Sequence, residues 1–369
     1  MTLLDFIMGA CEPNISQHHR SGLSSNTQAN STQVAFRKTA VSTALKTLRT
    51  AGLFRVAANS PERRRKLLIL CYHGLSLDDE HEWHPNLYIT PQLFRRRLQR
   101  LRHWRANVLP LGEALTRLQN NTLPERSVAI TFDDGFYDFV RHAVPILSEF
   151  SYPCTLYLTT YYCAHRLPVI SVFLDYLLWK SKLAQVALPD FGVPEMSPIR
   201  AYTERQQVVK KVLAFMEEQR LNTSEKHTLA CQIASRVSVD SDDLVKRRIL
   251  QIMTADEAVA ISRAGIDIQL HTHRHRTPRD RDLFRREIVD NRSRIEEITG
   301  RPAVHFCYPS GHHVPEFIPW LQELGVKSAT TCERGLAANG NQQLTLPRVL
   351  DDMTVEEVRF DSLFAGVLT

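Results

Sequence analysis

The chain has 369 residues and lacks any apolar run near the ~20 residues that a membrane span requires, so it offers no candidate transmembrane helix. Its seven cysteines (11, 71, 154, 163, 231, 307 and 332) form no CxxC pair and are odd in number. That excludes a zinc ribbon, a thioredoxin-type motif and a closed disulfide framework. Several lie in apolar runs such as Leu70-Cys71-Tyr72, as buried thiols in a reducing compartment do. No zinc-finger, helix-turn-helix or RNA-binding signature occurs, and the net charge of +6 is scattered, so nothing supports a nucleic-acid partner. The absence of an internal repeat excludes solenoids and propellers. What is present is an ordinary globular composition, 43% hydrophobic and 23% charged, with a mean hydropathy of -0.25 and a pI near 9.0. The modest basic excess suits an acidic surface or lipid headgroups nearby.

Met8-Gly9-Ala10-Cys11 is faintly similar to a lipoprotein cleavage site, but Asp5 interrupts a short apolar run and no Lys or Arg precedes it. The expected location is therefore cytoplasmic. Residues 1–35 are expected to be a disordered leader, Ser-, Asn-, Gln- and Thr-rich over 12–34. Over 36–65 the pattern is that of a basic amphipathic helix: Val41, Ala44, Leu45, Leu48 and Gly52 share one side, with Lys38, Lys46, Arg49 and Arg55 elsewhere. It either lies on the inner membrane face or packs on the domain behind it, the second being preferred.

Residues 66–369 carry alternating strand and helix signals. Leu67–Tyr72, Val128–Phe132, Cys154–Leu158, Ile266–Leu270 and Val304–Tyr308 read as buried strands. Thr90-Pro91 opens a helix through Phe94, Leu98 and Leu101, and Phe284–Thr299 forms another, closed by Gly300. Residues from about 163 to 250 read as a mostly helical, charged insertion. Strands alternating with helices predict an α/β fold with a parallel sheet or barrel. Polar residues recur at strand C-termini, where barrels build active sites.

Two of those ends carry the chemistry. Ile130-Thr131-Phe132-Asp133-Asp134-Gly135 and Leu270-His271-Thr272-His273-Arg274-His275 offer two adjacent carboxylates and two imidazoles four residues apart. Two His and one carboxylate leave coordination positions open for water and substrate, which marks catalytic rather than structural metal sites. The second carboxylate is then free to act as a base. Taken singly, the Asp-Asp-Gly reads as a turn and the His pair as a solvated cluster; together, each after an apolar strand, they read as a site.

These two motifs resemble those of the polysaccharide deacetylases, the NodB-homology carbohydrate esterases. Cys71-Tyr72-His73-Gly74, Ile89-Thr90-Pro91 with Phe94, and Phe306-Cys307-Tyr308-Pro309-Ser310-Gly311 extend the resemblance from about Leu67 to beyond Arg348. The resemblance implies a distorted (β/α) barrel with an irregular parallel barrel of fewer than eight strands. It also implies a divalent metal, zinc before others, and an N-acetylated saccharide substrate. By motif, Asp133 is the general base, Asp134, His271 and His275 bind the metal, and the Ser310 backbone N–H is an oxyanion donor. His73, Tyr308 and Pro309 are expected to line the substrate site. The chain departs from the pattern twice. Cys307 stands where the family usually has an arginine that supports the base, and Arg348 is the expected replacement. No Leu-x-His supplies the acid, which leaves His73, His312, His313 or a metal-bound water. The implied function is hydrolysis of N-acetyl groups on amino sugars of a glycan or lipid-linked saccharide. A deformylase or amidase on a smaller amide, and a catalytically degenerate carbohydrate-binding module, are the alternatives.

Overall fold

Each apolar run read as a buried strand pairs in parallel with its neighbours in the computed structural model of the chain, which describes residues 40–164 and 166–368. The leader expected over 1–35, with Met8–Cys11, lies outside the described residues. Seven strands close a barrel: β1 (Lys66–Tyr72), β2 (Ser127–Phe132), β3 (Thr155–Leu158), β4 (Asp267–Leu270), β5 (His305–Cys307), β6 (Ser328–Arg334) and β7 (Leu346–Leu350). Their order around the barrel is β1-β7-β6-β5-β4-β3-β2, and β1 pairs again with β2, Leu68 opposite Val128 through Tyr72 opposite Phe132. Short strands at Asn107–Val108 and Ala337–Ala338 extend β2 and β1 outside the barrel.

Strand alternation divides the core in two. Leu67, Ile69, Ala129, Tyr157, Cys307 and Leu346 point inward and pack on a helix that closes the floor. The alternate residues, such as Leu68, Leu70, Val128, Ile130 and Leu156, face the outer helices. The same period carries Cys71, His73, Thr131, Asp133 and Arg348 to the upper interior, where apolar filling gives way to polar groups.

The helices that matter for position are α1 (40–50), α2 (Leu53–Ala58), α3 (Pro91–His103), α4 (Leu111–Gln119), the floor helix, α5 (Arg281–Thr299) and α6 (Glu357–Ala365). Thr90 caps α3, its side chain accepting from the Leu93 N–H, with Pro91 in the first turn. Gly300 ends α5 in the left-handed region, φ 65°. The single N-terminal helix expected over 36–65 is broken: Gly52, at φ 77°, separates α1 from α2, and Leu45, Phe54 and Ala58 pack into the core. The insertion between β3 and β4 is mostly helical, with one unexpected element. It includes an antiparallel hairpin, Gln185–Leu188 with Val193–Pro198, among the helices Ile170–Lys180, Tyr202–Glu218, Thr223–Arg236 and Ser241–Lys246. Prolines 189, 194 and 198 hide the strand alternation there.

A buried carboxylate ties the N-terminal helices to the barrel. Asp361 on α6 is fully buried and accepts from Arg100 Nε (3.1 Å), Trp104 Nε1 (3.0 Å) and Arg49 Nη1 (3.3 Å). Asp361→Ala strands the buried Trp104 Nε1–H and removes the buried carboxylate that Arg49 and Arg100 share, and is expected to lower the unfolding free energy by about 3 kcal/mol, measured by chemical denaturation. A loss within about 1 kcal/mol, the size of an exposed pair, would deny the anchor.

Candidate active site

The site begins with a stereochemical problem: adjacent residues on a strand point to opposite faces. Asp133 follows β2, its N–H donating to Tyr72 O at 3.0 Å, and by alternation it faces inward. Asp134 would face outward, but the chain turns left-handed at Asp134 (φ 68°) and Gly135 (φ 90°). Both carboxylates are thereby buried at the barrel mouth. Only glycine fits the second position, since a Cβ there would lie 2.3 Å from Leu158 Cδ1.

Arg348 grips Asp133 with two parallel hydrogen bonds, Nη1 to Oδ1 and Nη2 to Oδ2, both 2.8 Å. The thiols of Cys71 and Cys307 approach Oδ2 at 3.6 and 3.4 Å, and Arg348 Nη2 lies 3.1 Å from Cys307 Sγ. Burial pushes both thiols up, so they stand as neutral S–H donors. Burial also works against ionisation of Asp133, but the Arg348 charge and its hydrogen bonds outweigh it and hold the carboxyl well below the usual range.

Asp134 meets the histidines. Its Oδ1 lies 3.2 Å from His271 Nε2 and 3.0 Å from His275 Nε2. No helix brings the two rings together. Thr272 (φ 62°) and His275 (φ 54°) are left-handed, the loop folds back, and the rings meet at 4.8 Å between centroids. Thr272 holds the loop itself, accepting from the Arg276 N–H at 3.0 Å. His273 points elsewhere, its Nδ1 2.9 Å from Thr160 Oγ1.

Sequence reasoning missed the second layer. Asn291 Oδ1 accepts from the His271 N–H at 2.9 Å, while its Nδ2 donates to Leu158 O and Thr160 Oγ1. Glu287, one turn earlier, accepts from the Arg274 N–H and from Arg276 Nε, both at 2.7 Å. Their signal was available: both interrupt the buried stripe Phe284, Ile288, Ile295 of α5 with polar groups that burial obliges to find partners.

The donor set fits a divalent ion. His271 Nδ1 lies 2.9 Å from the Cys307 carbonyl oxygen, which can only accept, so Nδ1 carries a proton and Nε2 is the atom left for Asp134 or an ion. Nε2 faces Asp134 Oδ1 at hydrogen-bond distance; against burial the carboxylate pulls the His271 pKa up, so the pair shares a proton that a divalent ion between them would replace. Ligands of a tetrahedral zinc stand roughly 3.3 Å apart, close to the separations here. Cys71, His73 and Asp133, and Asp133, His271 and Cys307, also cluster. The guanidinium already on both oxygens of Asp133 opposes a second cation in either group.

Of the remaining expected residues, His73 is buried beside the carboxylates, with Nε2 3.7 Å from Asp133 Oδ2 and Nδ1 without a hydrogen-bond partner among the described residues. Burial draws its pKa below the ordinary histidine value, against the pull of Asp133 and Asp134. Ser310 sits left-handed (φ 55°) in the turn Pro309–Gly311 after β5. Tyr308 departs from the expectation of a substrate contact: its ring is buried and its hydroxyl donates to Leu344 O at 2.9 Å, which fixes the turn instead. Pro309 is likewise buried. His312 engages Thr277 Oγ1 (3.2 Å), and His313 engages Gly311 O (3.1 Å) and Glu333 (3.5 Å).

The family model described as polysaccharide deacetylase matches residues 120–329. No curated protein matches the chain. Among solved structures, a Streptococcus pyogenes deacetylase, PplD, in complex with acetate is similar at a TM-score of 0.54 and 18% identity, over 81% of this chain and 98% of that one. IcaB from Ammonifex degensii is similar at 0.51 and 16%, over 82% and 96%. A de-N-acetylase from Aggregatibacter actinomycetemcomitans is similar at 0.51 and 14%, over 81% and 99%.

The buried pair yields a double-mutant cycle. Asp133→Asn and Arg348→Met are each expected to cost about 3–5 kcal/mol, because each leaves one buried charge unpaired. The double variant should lose less than the sum. A depressed carboxylate pKa contributes stability that is present above the unfolded value of about 4 and lost as pH falls toward the folded value. The wild type should therefore lose stability below pH ~4 more steeply than the double variant; additive losses with parallel pH curves would refute the coupling.

Proposed function

This chain belongs to the polysaccharide deacetylase family of amide-hydrolysing enzymes, and from that premise we propose a metal-dependent deacetylase that removes N-acetyl groups from amino sugars of a glycan or lipid-linked saccharide. One observation carries the reading. An ionised carboxylate held by Arg348 stands one residue from a separate set of two imidazoles and a carboxylate. Binding a sugar calls for neither group in particular, whereas metal-assisted hydrolysis of an amide uses both.

Asp134, His271 and His275 are the residues that would hold a divalent ion, zinc first among the candidates. When bound, the ion supplies Lewis acidity to the amide carbonyl and lowers the pKa of water. Arg348 keeps Asp133 ionised, as a base must be, but lowers its basicity, so the carboxylate would act on water that the ion has acidified and not on ordinary water. Asp133 takes the proton, and its Oδ2 is the oxygen that faces His73 Nε2 at 3.7 Å. Asp133 passes that proton across the Oδ2–Nε2 contact to His73, which then delivers it to the departing amine, while His312 and His313 are engaged by Thr277 Oγ1 and Gly311 O. The Ser310 N–H, in its left-handed turn, is assigned to the developing oxyanion. Free thiols at Cys71, Cys154, Cys163 and Cys307, all buried, support a reducing, cytoplasmic setting.

The expected product from N-acetylglucosamine oligomers is acetate. Chelation should abolish its release and zinc restore it. Asp133→Asn should hold metal and oligomer while releasing nothing measurable. Formate release from N-formyl substrates without acetate would instead favour a deformylase, and saccharide affinity without turnover in the metal-loaded wild type a binding module. His73→Gln should lower kcat by about 10²–10⁴-fold with KM and metal content unchanged. A kcat within a factor of about three would remove His73 from proton transfer.

A further inference from the structure

The floor of the barrel, opposite the site, carries a groove that catalysis does not use. It runs between the α1–α2 junction and the C-terminal end of α3, as two adjoining hollows of about 430 and 490 Å³ that share Arg55, His103 and Trp104. Arg49 and Arg100 line the first hollow, Arg105 and Arg126 the second. Acidic compensation is incomplete. Arg49 and Arg100 share Glu357 and Asp361, and Arg64 and Arg126 share Glu125. Lys46, Arg55, Arg65 and Arg105 have no acidic partner among the described residues. Beside these cations, α1 and α2 leave aliphatic side chains in water: Val41, Leu53 and Val56 are 50%, 47% and 69% exposed. The inner side of the same helices, Leu45, Phe54 and Ala58, is buried. The helices thus pack on the barrel and still present an outer apolar face rimmed by cations.

We propose that this surface docks the protein on an anionic lipid bilayer, with Leu53 and Val56 entering the headgroup boundary and Arg55, Arg65 and Arg105 taking lipid phosphates. Charge complementarity names the partner class, and the exposed aliphatics separate it from other polyanions: a duplex backbone offers guanidiniums their phosphates but gives Val56 nothing apolar to enter. The orientation follows from the fold. Arg126 immediately precedes β2 and Asp133 immediately follows it, so six residues of strand, roughly 20 Å, separate the groove from the site. A docked floor leaves the barrel mouth open to solvent.

Vesicle co-sedimentation of the full chain tests the proposal. Vesicles with about one third phosphatidylglycerol should bind the protein, and pure phosphatidylcholine should not. Each near-surface cation adds about fivefold to membrane affinity, so the charge reversal R55E/R105E should weaken partition at least about twentyfold. L53S/V56S should weaken it about tenfold. Both variants should release acetate from soluble oligomers as the wild type does, which shows that they fold and keeps this test separate from that of the activity. No partition of the wild type, or partition unchanged by R55E/R105E, overturns the proposal. Partition sensitive to R55E/R105E but not to L53S/V56S overturns lipid docking in favour of a soluble phosphate. Tighter binding to duplex DNA than to vesicles overturns it in favour of nucleic acid.

Discussion

The guanidinium of Arg348 on the carboxylate of Asp133 is the interaction that the rest of the site presupposes. Both side chains are buried in the barrel interior above an apolar cluster on the floor helix, and neither charge is tolerable there alone. Paired in fork geometry, they fix each other's position and keep the carboxylate ionised. The surrounding groups are shaped to that pair. Cys71 and Cys307 are small, weakly polar groups that fill the space around Oδ2, and Cys307 Sγ also accepts from Arg348 Nη2. A longer side chain at 307 would occupy the volume through which Arg348 reaches across from β7.

A second constraint is backbone. Strand geometry alone would separate Asp133 from Asp134, and only the left-handed turn through Asp134 and Gly135 turns both inward. The histidine loop is solved similarly, with left-handed Thr272 and His275, and it is held from outside by α5 through Asn291 and Glu287. Such conformations cost free energy and persist where surrounding contacts over-determine them. Here two side chains from one helix face do so, joining the loop that carries the imidazoles to the scaffold by hydrogen bonds rather than by apolar packing.

Legibility in the sequence followed the density of local signal. β1, β2, β3 and β4 are apolar runs, and Thr90-Pro91 and Gly300 punctuate helices, so these elements could be read directly. β6, Ser-Ala-Thr-Thr-Cys-Glu-Arg, is too polar to announce a strand, and β7 contains Pro347, which argues against one. The insertion hairpin was hidden by its prolines. At the site, the motif residues were visible because each follows a readable strand. Tyr308 looked like a binding residue because it adjoins the Pro-Ser-Gly turn, yet its alternation in β5 sends it outward into packing with Phe306 and Phe317. Asn291 and Glu287 lay on a helix whose other buried positions are apolar. Their role depends on which loop passes over them, and that is a property of tertiary contact alone.

The place of β7 in the barrel has a consequence for the order in which the protein can mature. β1 is flanked by β2 and β7, so the cylinder closes only when residues 346–350 insert between β1 and β6. Arg348 travels on that strand and meets Asp133 across a separation of 215 residues. Contacts of that span form late, after shorter loops have closed. A chain with six of the barrel strands assembled holds an open sheet whose edges are β6 and the upper part of β1, with Asp133 lacking its counterion. The last strand supplies the wall and the charge in one step. Closure of the cylinder and the pairing of Asp133 with its counterion thus fall on the same strand.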